Sequence, residues 1–159
     1  MTMYSHSFAA IVTGNRYRRQ WPVLLADTRR ILIAVGELGI GLCGPDGFGA
    51  PLLDSHTGIG FNGDAATGRH GTPLQLPPPL GDGLAVPASS GTCRTRSERY
   101  DLAVTAVLLR ARLLIGDDFA VLSDGRWDVE WNQGPRVGFP GARQLVDDLF
   151  GGVPACSPL

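Results

Sequence analysis

Asp54, His56, Asp64 and His70 are of the residue types that hold a metal ion. An Asp-x-His pair on a strand puts both side chains on one face, because strand side chains alternate. Carboxylate and imidazole together suit a divalent transition metal. The opposing reading is ordinary loop chemistry, since the four residues span a Gly-rich stretch with no HExxH-type helix to fix them. Cys93 stands before Arg94-Thr95-Arg96 and a helix start, a position that lowers a thiol's pKa and makes it nucleophilic. Its alternative is a small, partly buried structural thiol. Arg94, Arg96 and Arg99 can hold phosphate beside free helix amides, but Glu98 and Asp101 interleave with them and favour a solvated, salt-bridged helix end. Ser123-Asp124-Gly125-Arg126-Trp127 ends a strand in an Asp turn. Trp127 and Trp131 then either close the core or form an exposed contact patch. The expected binding residues are Tyr100, Asp101, Asp124, Trp127 and Trp131, and no residue is assigned a catalytic role.

Other chemistries are excluded by composition. The 159 residues carry 14 basic side chains, all Arg, and a net charge of −1. Without Lys there is no Schiff-base amine, no Walker P-loop and no protein-kinase catalytic lysine. Cys43, Cys93 and Cys156 form no CxxC pair, so zinc ribbons and thioredoxin-type redox motifs are excluded. Gly39-Ile40-Gly41-Leu42-Cys43-Gly44 matches GxGxxG after a possible strand, but Pro45-Asp46-Gly47 follows where a dinucleotide site needs a helix. No cofactor is expected. No apolar run reaches the roughly 18 residues of a membrane span. The basic stretch before Ile31–Leu42 is too long, and the run too interrupted by Glu37 and glycines, for an export signal. The expectation is a cytoplasmic protein that does not engage a membrane.

The elements that would position these residues are legible unevenly. Residues 1–41 are read as an N-terminal extension of uncertain order. Within them Val23–Ala26 and Ile31–Val35 are apolar runs split by Asp27-Thr28-Arg29-Arg30. They admit a buried strand, a short helix over 23–35, or no element of the core. Gly44-Pro45-Asp46-Gly47-Phe48-Gly49 is turn chemistry. Ile59-Gly60-Phe61 is a strand that ends at the tight-turn pair Asn62-Gly63, and Thr72–Leu76 is its return. Pro77–Gly91 is a Pro-rich loop. The strongest element is a helix over about 98–115, opened by a Thr95-Arg96-Ser97-Glu98 capping box and stopped by Gly116. It is apolar almost all round, which marks a central helix covered on two sides. Phe119–Leu122 is a strand and 142–150 a C-terminal amphipathic helix. The expected fold is α+β, a small antiparallel or mixed sheet packed on the central helix, with one domain over 42–152 and a tail at 153–159.

Four segments, Gly44-Pro45-Asp46-Gly47, Phe61-Asn62-Gly63, Tyr100–Leu108 and Ser123-Asp124-Gly125-Arg126-Trp127-Asp128, resemble in order and spacing a family of small uncharacterised proteins from bacteriophages and actinobacteria. The resemblance covers about residues 42–152. It departs at Arg94-Thr95, where a Lys-Thr pair is usual, and at Arg99, where Pro is usual. It implies a compact core from about residue 42 and carries no activity. The function expected is a non-catalytic binding or accessory module, with another protein as partner. A metal- or thiol-dependent hydrolase and a nucleic-acid-binding protein acting through the N-terminal arginines are the alternatives.

Overall fold

The computed structural model describes residues 4–81, 88–135 and 137–159. Among the described residues the fold is α+β, with three α-helices and two three-stranded antiparallel sheets. The chain runs β1 (Ser5–Ala10), α1 (Asn15–Glu37), β2 (Leu52–Asp54), β3 (Gly58–Phe61), β4 (Leu74–Leu76), β5 (Ser89–Arg94), α2 (Asp101–Ile115), β6 (Phe119–Ser123) and α3 (Ala142–Phe150). One sheet has the order β5-β1-β6 and the other β2-β3-β4.

The central helix is α2. Leu102–Leu109, Ala111 and Ile115 are all buried, so nearly every side of the helix must be covered. The β5-β1-β6 sheet and the helices α1 and α3 share that task. Strand β1 alternates, with His6, Phe8 and Ala10 inward and Ser5, Ser7 and Ala9 outward. Phe8 lies flat on Phe119 of β6, with ring centroids 5.7 Å apart. On the other flank, α1 buries Tyr17, Trp21, Leu24, Ile31, Leu32 and Val35. Tyr17 Oη donates to Pro77 O and Trp21 Nε1 to Ser55 O, which fastens the β2-β3-β4 sheet to the same helix.

Within residues 4–41, β1 and α1 both contribute buried side chains to the core. β1 is the middle strand of its sheet, and α1 is a single helix across both apolar runs. The polar interruption is explained by Asp27 and Thr28, which both lie on the buried side. Asp27 Oδ2 accepts from Arg110 Nε of α2 at 2.7 Å. The Arg110 guanidinium also covers the Phe150 ring of α3 at 4.3 Å, and Arg30 of α1 covers that ring at 4.8 Å. Contact of two cations with one aromatic ring thus joins the three helices.

Helix α2 begins at Asp101 rather than near 98, and Thr95-Arg96-Ser97-Glu98 is not a capping box. Arg96 and Ser97 take left-handed backbone angles, φ of 54° and 58°, which no helix tolerates. Thr95 Oγ1 is spent on Asp101 Oδ1 at 2.6 Å. The Pro-rich loop is shorter than expected, because Ser89, Ser90 and Gly91 belong to β5; its residues 82–87 lie outside the described residues. The Gly39–Gly44 pattern follows a helix, not a strand. Asn62-Gly63 makes no tight hairpin. Asn62 is buried and uses its whole amide: Nδ2 donates to Pro45 O and Gly71 O, and Oδ1 accepts from Gly63 N and Gly71 N. A Cβ at Gly63 would lie 1.9 Å from Arg69 O, and one at Gly71 2.0 Å from Arg94 O. Close approach requires both glycines. The stretch 153–159 has no regular structure but is tied down, since Trp127 Nε1 and Arg143 Nη2 donate to Ala155 O and Arg112 Nε to Pro158 O.

A chain shortened to begin at Leu42 is expected to show no cooperative thermal transition by circular dichroism, because it lacks the middle strand and one cover of α2. A sharp transition in that shortened chain would refute the assignment of β1 and α1 to the core.

Candidate functional site

The polar centre of the molecule is His6, which is 1% exposed and points inward from β1. Its Nε2 lies 2.7 Å from Asp101 Oδ1, at the start of α2. Its Nδ1 lies 2.7 Å from Ser123 Oγ, at the end of β6. Ser123 Oγ accepts from Gly125 N at 2.9 Å and from Trp131 Nε1 at 3.0 Å. Both hydroxyl lone pairs are thereby occupied, so the Ser123 proton is donated to His6 Nδ1. The ring proton is then on Nε2 and is donated to Asp101. Asp101 Oδ1 takes a second donor, Thr95 Oγ1, while Oδ2 receives no hydrogen bond from the described residues. Tyr4 and Trp131 meet the imidazole edge-on, at 5.0 and 5.7 Å between centroids.

This is a serine–histidine–aspartate relay assembled from β6, β1 and α2. Its chemistry is limited by the serine. A nucleophilic hydroxyl needs a lone pair directed at an electrophile, and here both are held by N–H donors. The arrangement fixes the imidazole and the helix start.

Beside the relay lies an open cleft of about 280 Å³, lined by Tyr4, Asp101, Thr105, Glu130, Gln133 and Pro135 among others. No basic side chain lines it among the described residues. Glu130 Oε2 accepts from Arg126 N at 2.7 Å, and that bond to the ionised form holds its carboxyl below the ordinary value. Burial, with the nearby carboxylates of Asp101, Glu130 and Asp124, pushes the Tyr4 phenol up. Tyr4 Oη is buried and has no hydrogen-bond partner among the described residues.

The expected site residues fare differently. Asp101 lines the cleft. Asp124 is exposed, and its Oδ2 fastens the start of β1 by accepting from Ser5 N and Ser5 Oγ. The other three are buried. Tyr100 is 1% exposed, and its hydroxyl reaches Thr72 O and Arg94 O. Trp127 and Trp131 are 8% and 0% exposed, so they form no contact patch. Trp131 backs the relay, and Trp127 lies under the Arg143 guanidinium at 4.5 Å.

The metal candidates do not converge. Asp54 Oδ1 closes its own turn on His56 N, Thr57 N and Thr57 Oγ1, and those bonds hold its carboxyl below the ordinary value. His56 Nδ1 meets Ser55 Oγ, and Asp64 Oδ1 caps a short helical turn at Ala66 N. Among the described residues no group of three or more His, Cys, Asp or Glu is placed to hold a metal. Cys93 is 2% exposed, its thiol faces Thr72 O, and burial pushes its pKa up rather than down, so the activated-thiol reading is corrected as well. Sequence reasoning missed His6 and Ser123. The available signal was the alternation Ser5-His6-Ser7-Phe8-Ala9-Ala10, which reads as a half-buried strand.

No protein family, curated protein or solved structure matches this chain.

Two outcomes follow from the buried acids. In the native protein Cys156, which is exposed, is expected to react first with a thiol-specific reagent, and Cys93 only after unfolding. Rapid native labelling of Cys93 would contradict its seal. Cys93, Tyr17 and Tyr100 all have pKa values raised by burial. A raised native pKa stabilises below the unfolded value and is lost as pH rises. Denaturation midpoints should fall once pH passes roughly 8.5 for the thiol and 10 for the phenols. A midpoint unchanged through that window would show that these groups ionise in place.

Proposed function

We propose that this chain is a non-catalytic binding or accessory module, and that its cleft beside α2 receives a basic side chain of a partner protein. The observation that carries this reading is the state of Ser123. The Ser123 hydroxyl has both lone pairs committed, while an open cleft with the carboxylates of Asp101 and Glu130 on its wall lies next to it. A nearly saturated relay supports a rigid wall for recognition better than it supports turnover. The resemblance to bacteriophage and actinobacterial proteins fits an accessory protein carried on a mobile element. Among the described residues no helix is long and apolar enough to cross a membrane. The sparse, widely spaced cysteines support a cytoplasmic location. The N-terminal arginines support nucleic-acid binding poorly, because Arg16 is spent on Leu114 O and Arg30 on Leu149 O.

A second reading rests on the same relay. Distances of 2.7 Å from Ser123 to His6 and from His6 to Asp101 are those of a serine hydrolase. Treatment with a fluorophosphonate, followed by intact mass, separates the two. The expected result is no adduct. An adduct on Ser123 that disappears in His6→Ala would overturn the non-catalytic reading. For the cleft itself, titration with Nα-acetyl-argininamide should move the Trp131 indole N–H resonance and leave that of Trp21 in place, with the effect weakened in Glu130→Gln. Identical behaviour of both indoles would remove the cleft as the contact site.

A further inference from the structure

Among the described residues, helix α1 leaves one face uncovered. Arg19, Val23, Ala26, Arg30, Ile33 and Glu37 are all exposed and fall alternately four and three residues apart. That is the spacing of a coiled-coil seam. Val23 and Ile33 are 42% and 57% exposed, an unusual state for β-branched apolar side chains on a helix this well packed. Arg19 and Glu37, at the two ends of the stripe, make no hydrogen bond or ion pair among the described residues.

We propose that this face is the interface of an antiparallel homodimer, with α1 of a second copy laid along it. The stripe is complementary to itself when reversed about Thr28. Arg19 meets Glu37 of the partner subunit, Val23 meets Ile33 of the partner subunit, and the small Ala26 lies opposite Arg30 of the partner subunit. A two-fold axis produces each contact twice. The charge pairs sit at the rim and set direction, and the apolar pairs sit between them. A parallel arrangement would instead oppose Arg19 to Arg19 and Glu37 to Glu37. Arg30 does not crowd the axis with charge, because its guanidinium is turned to Leu149 O and the Phe150 ring of α3 and only its stem borders the seam. From Arg19 to Glu37 the stripe is about 27 Å long. A single helix pair of that length makes a small interface, so association in the micromolar range is expected. The inference does not depend on the cleft.

The test is sedimentation velocity over a concentration series. The wild type should move from monomer to dimer. Arg19→Glu and Glu37→Arg, each alone, place like charges together at both ends and should weaken association by about tenfold or more. The double variant Arg19→Glu/Glu37→Arg should restore it. An equimolar mixture of the two single variants should also dimerise, because in the mixed pair opposite charges face each other at both ends of the stripe. Near-ultraviolet circular dichroism identical to wild type shows that each variant is folded. A wild type that stays monomeric across the series, or single variants that associate as wild type does, would overturn the proposal. So would single variants whose mixture fails to recover.

Discussion

A helix that is apolar around its whole circumference has to be enclosed, and the enclosure of α2 governs the rest of the architecture. A sheet can cover only one side of a helix. The β5-β1-β6 sheet takes that side, which leaves the other to α1 and α3. Burial of this kind scales with the apolar area removed from water, at about 25 cal/mol per Å². The helix cannot keep its fifteen residues in place by propensity alone. The two N-terminal elements are consequently structural necessities: β1 completes the sheet and α1 completes the cover.

Enclosing an apolar helix does not by itself fix its position along its axis. The polar groups at its ends do that. At the start, Asp101 is held by Thr95 and His6, and His6 is held by Ser123. Along its length Arg110 is held by Asp27, and near its end Arg112 Nη1 reaches Gly116 O and Phe119 O. Buried polar bonds with defined geometry are costly to leave unmade, so each selects one register. The relay at His6 is a case where the grouping of side chains suggests one chemistry and the direction of each proton favours another. Ser123 accepts two N–H groups and gives its only proton to the ring, so its oxygen is a fixed node between β6, the 125–131 turn and β1. The cleft outside it inherits rigid walls from the same bonds.

The sequence reading succeeded where signals are local. The strand at Ile59-Gly60-Phe61, its return near Leu74–Leu76, the strand from Phe119 and the helix at 142–150 all depend on neighbours within a few residues. Apolar periodicity there is uninterrupted. It failed over α1 because two polar residues, Asp27 and Thr28, occupy buried positions. The partner that makes Asp27 tolerable, Arg110, is 83 residues away. It misplaced the start of α2 because Thr95 has the right spacing for a capping box but gives its hydroxyl to the Asp101 carboxylate, while Arg96 and Ser97 take left-handed angles. It placed Trp127 and Trp131 at a contact surface because nothing in their neighbourhood shows that Ala155, Arg143 and Ser123 enclose them.

What the sequence determined by itself was the class of fold, the central position of one all-apolar helix and the exclusion of every lysine-dependent chemistry. Periodicity and composition are properties of the chain. What only the tertiary structure decided was which polar residues meet. His6 stands 95 residues from Asp101 and 117 from Ser123, whereas Asp54, His56 and Asp64 of the metal-like set are close in sequence yet make separate local bonds. Site chemistry depends on distances and on the direction of each proton, and those are set by which strand pairs with which.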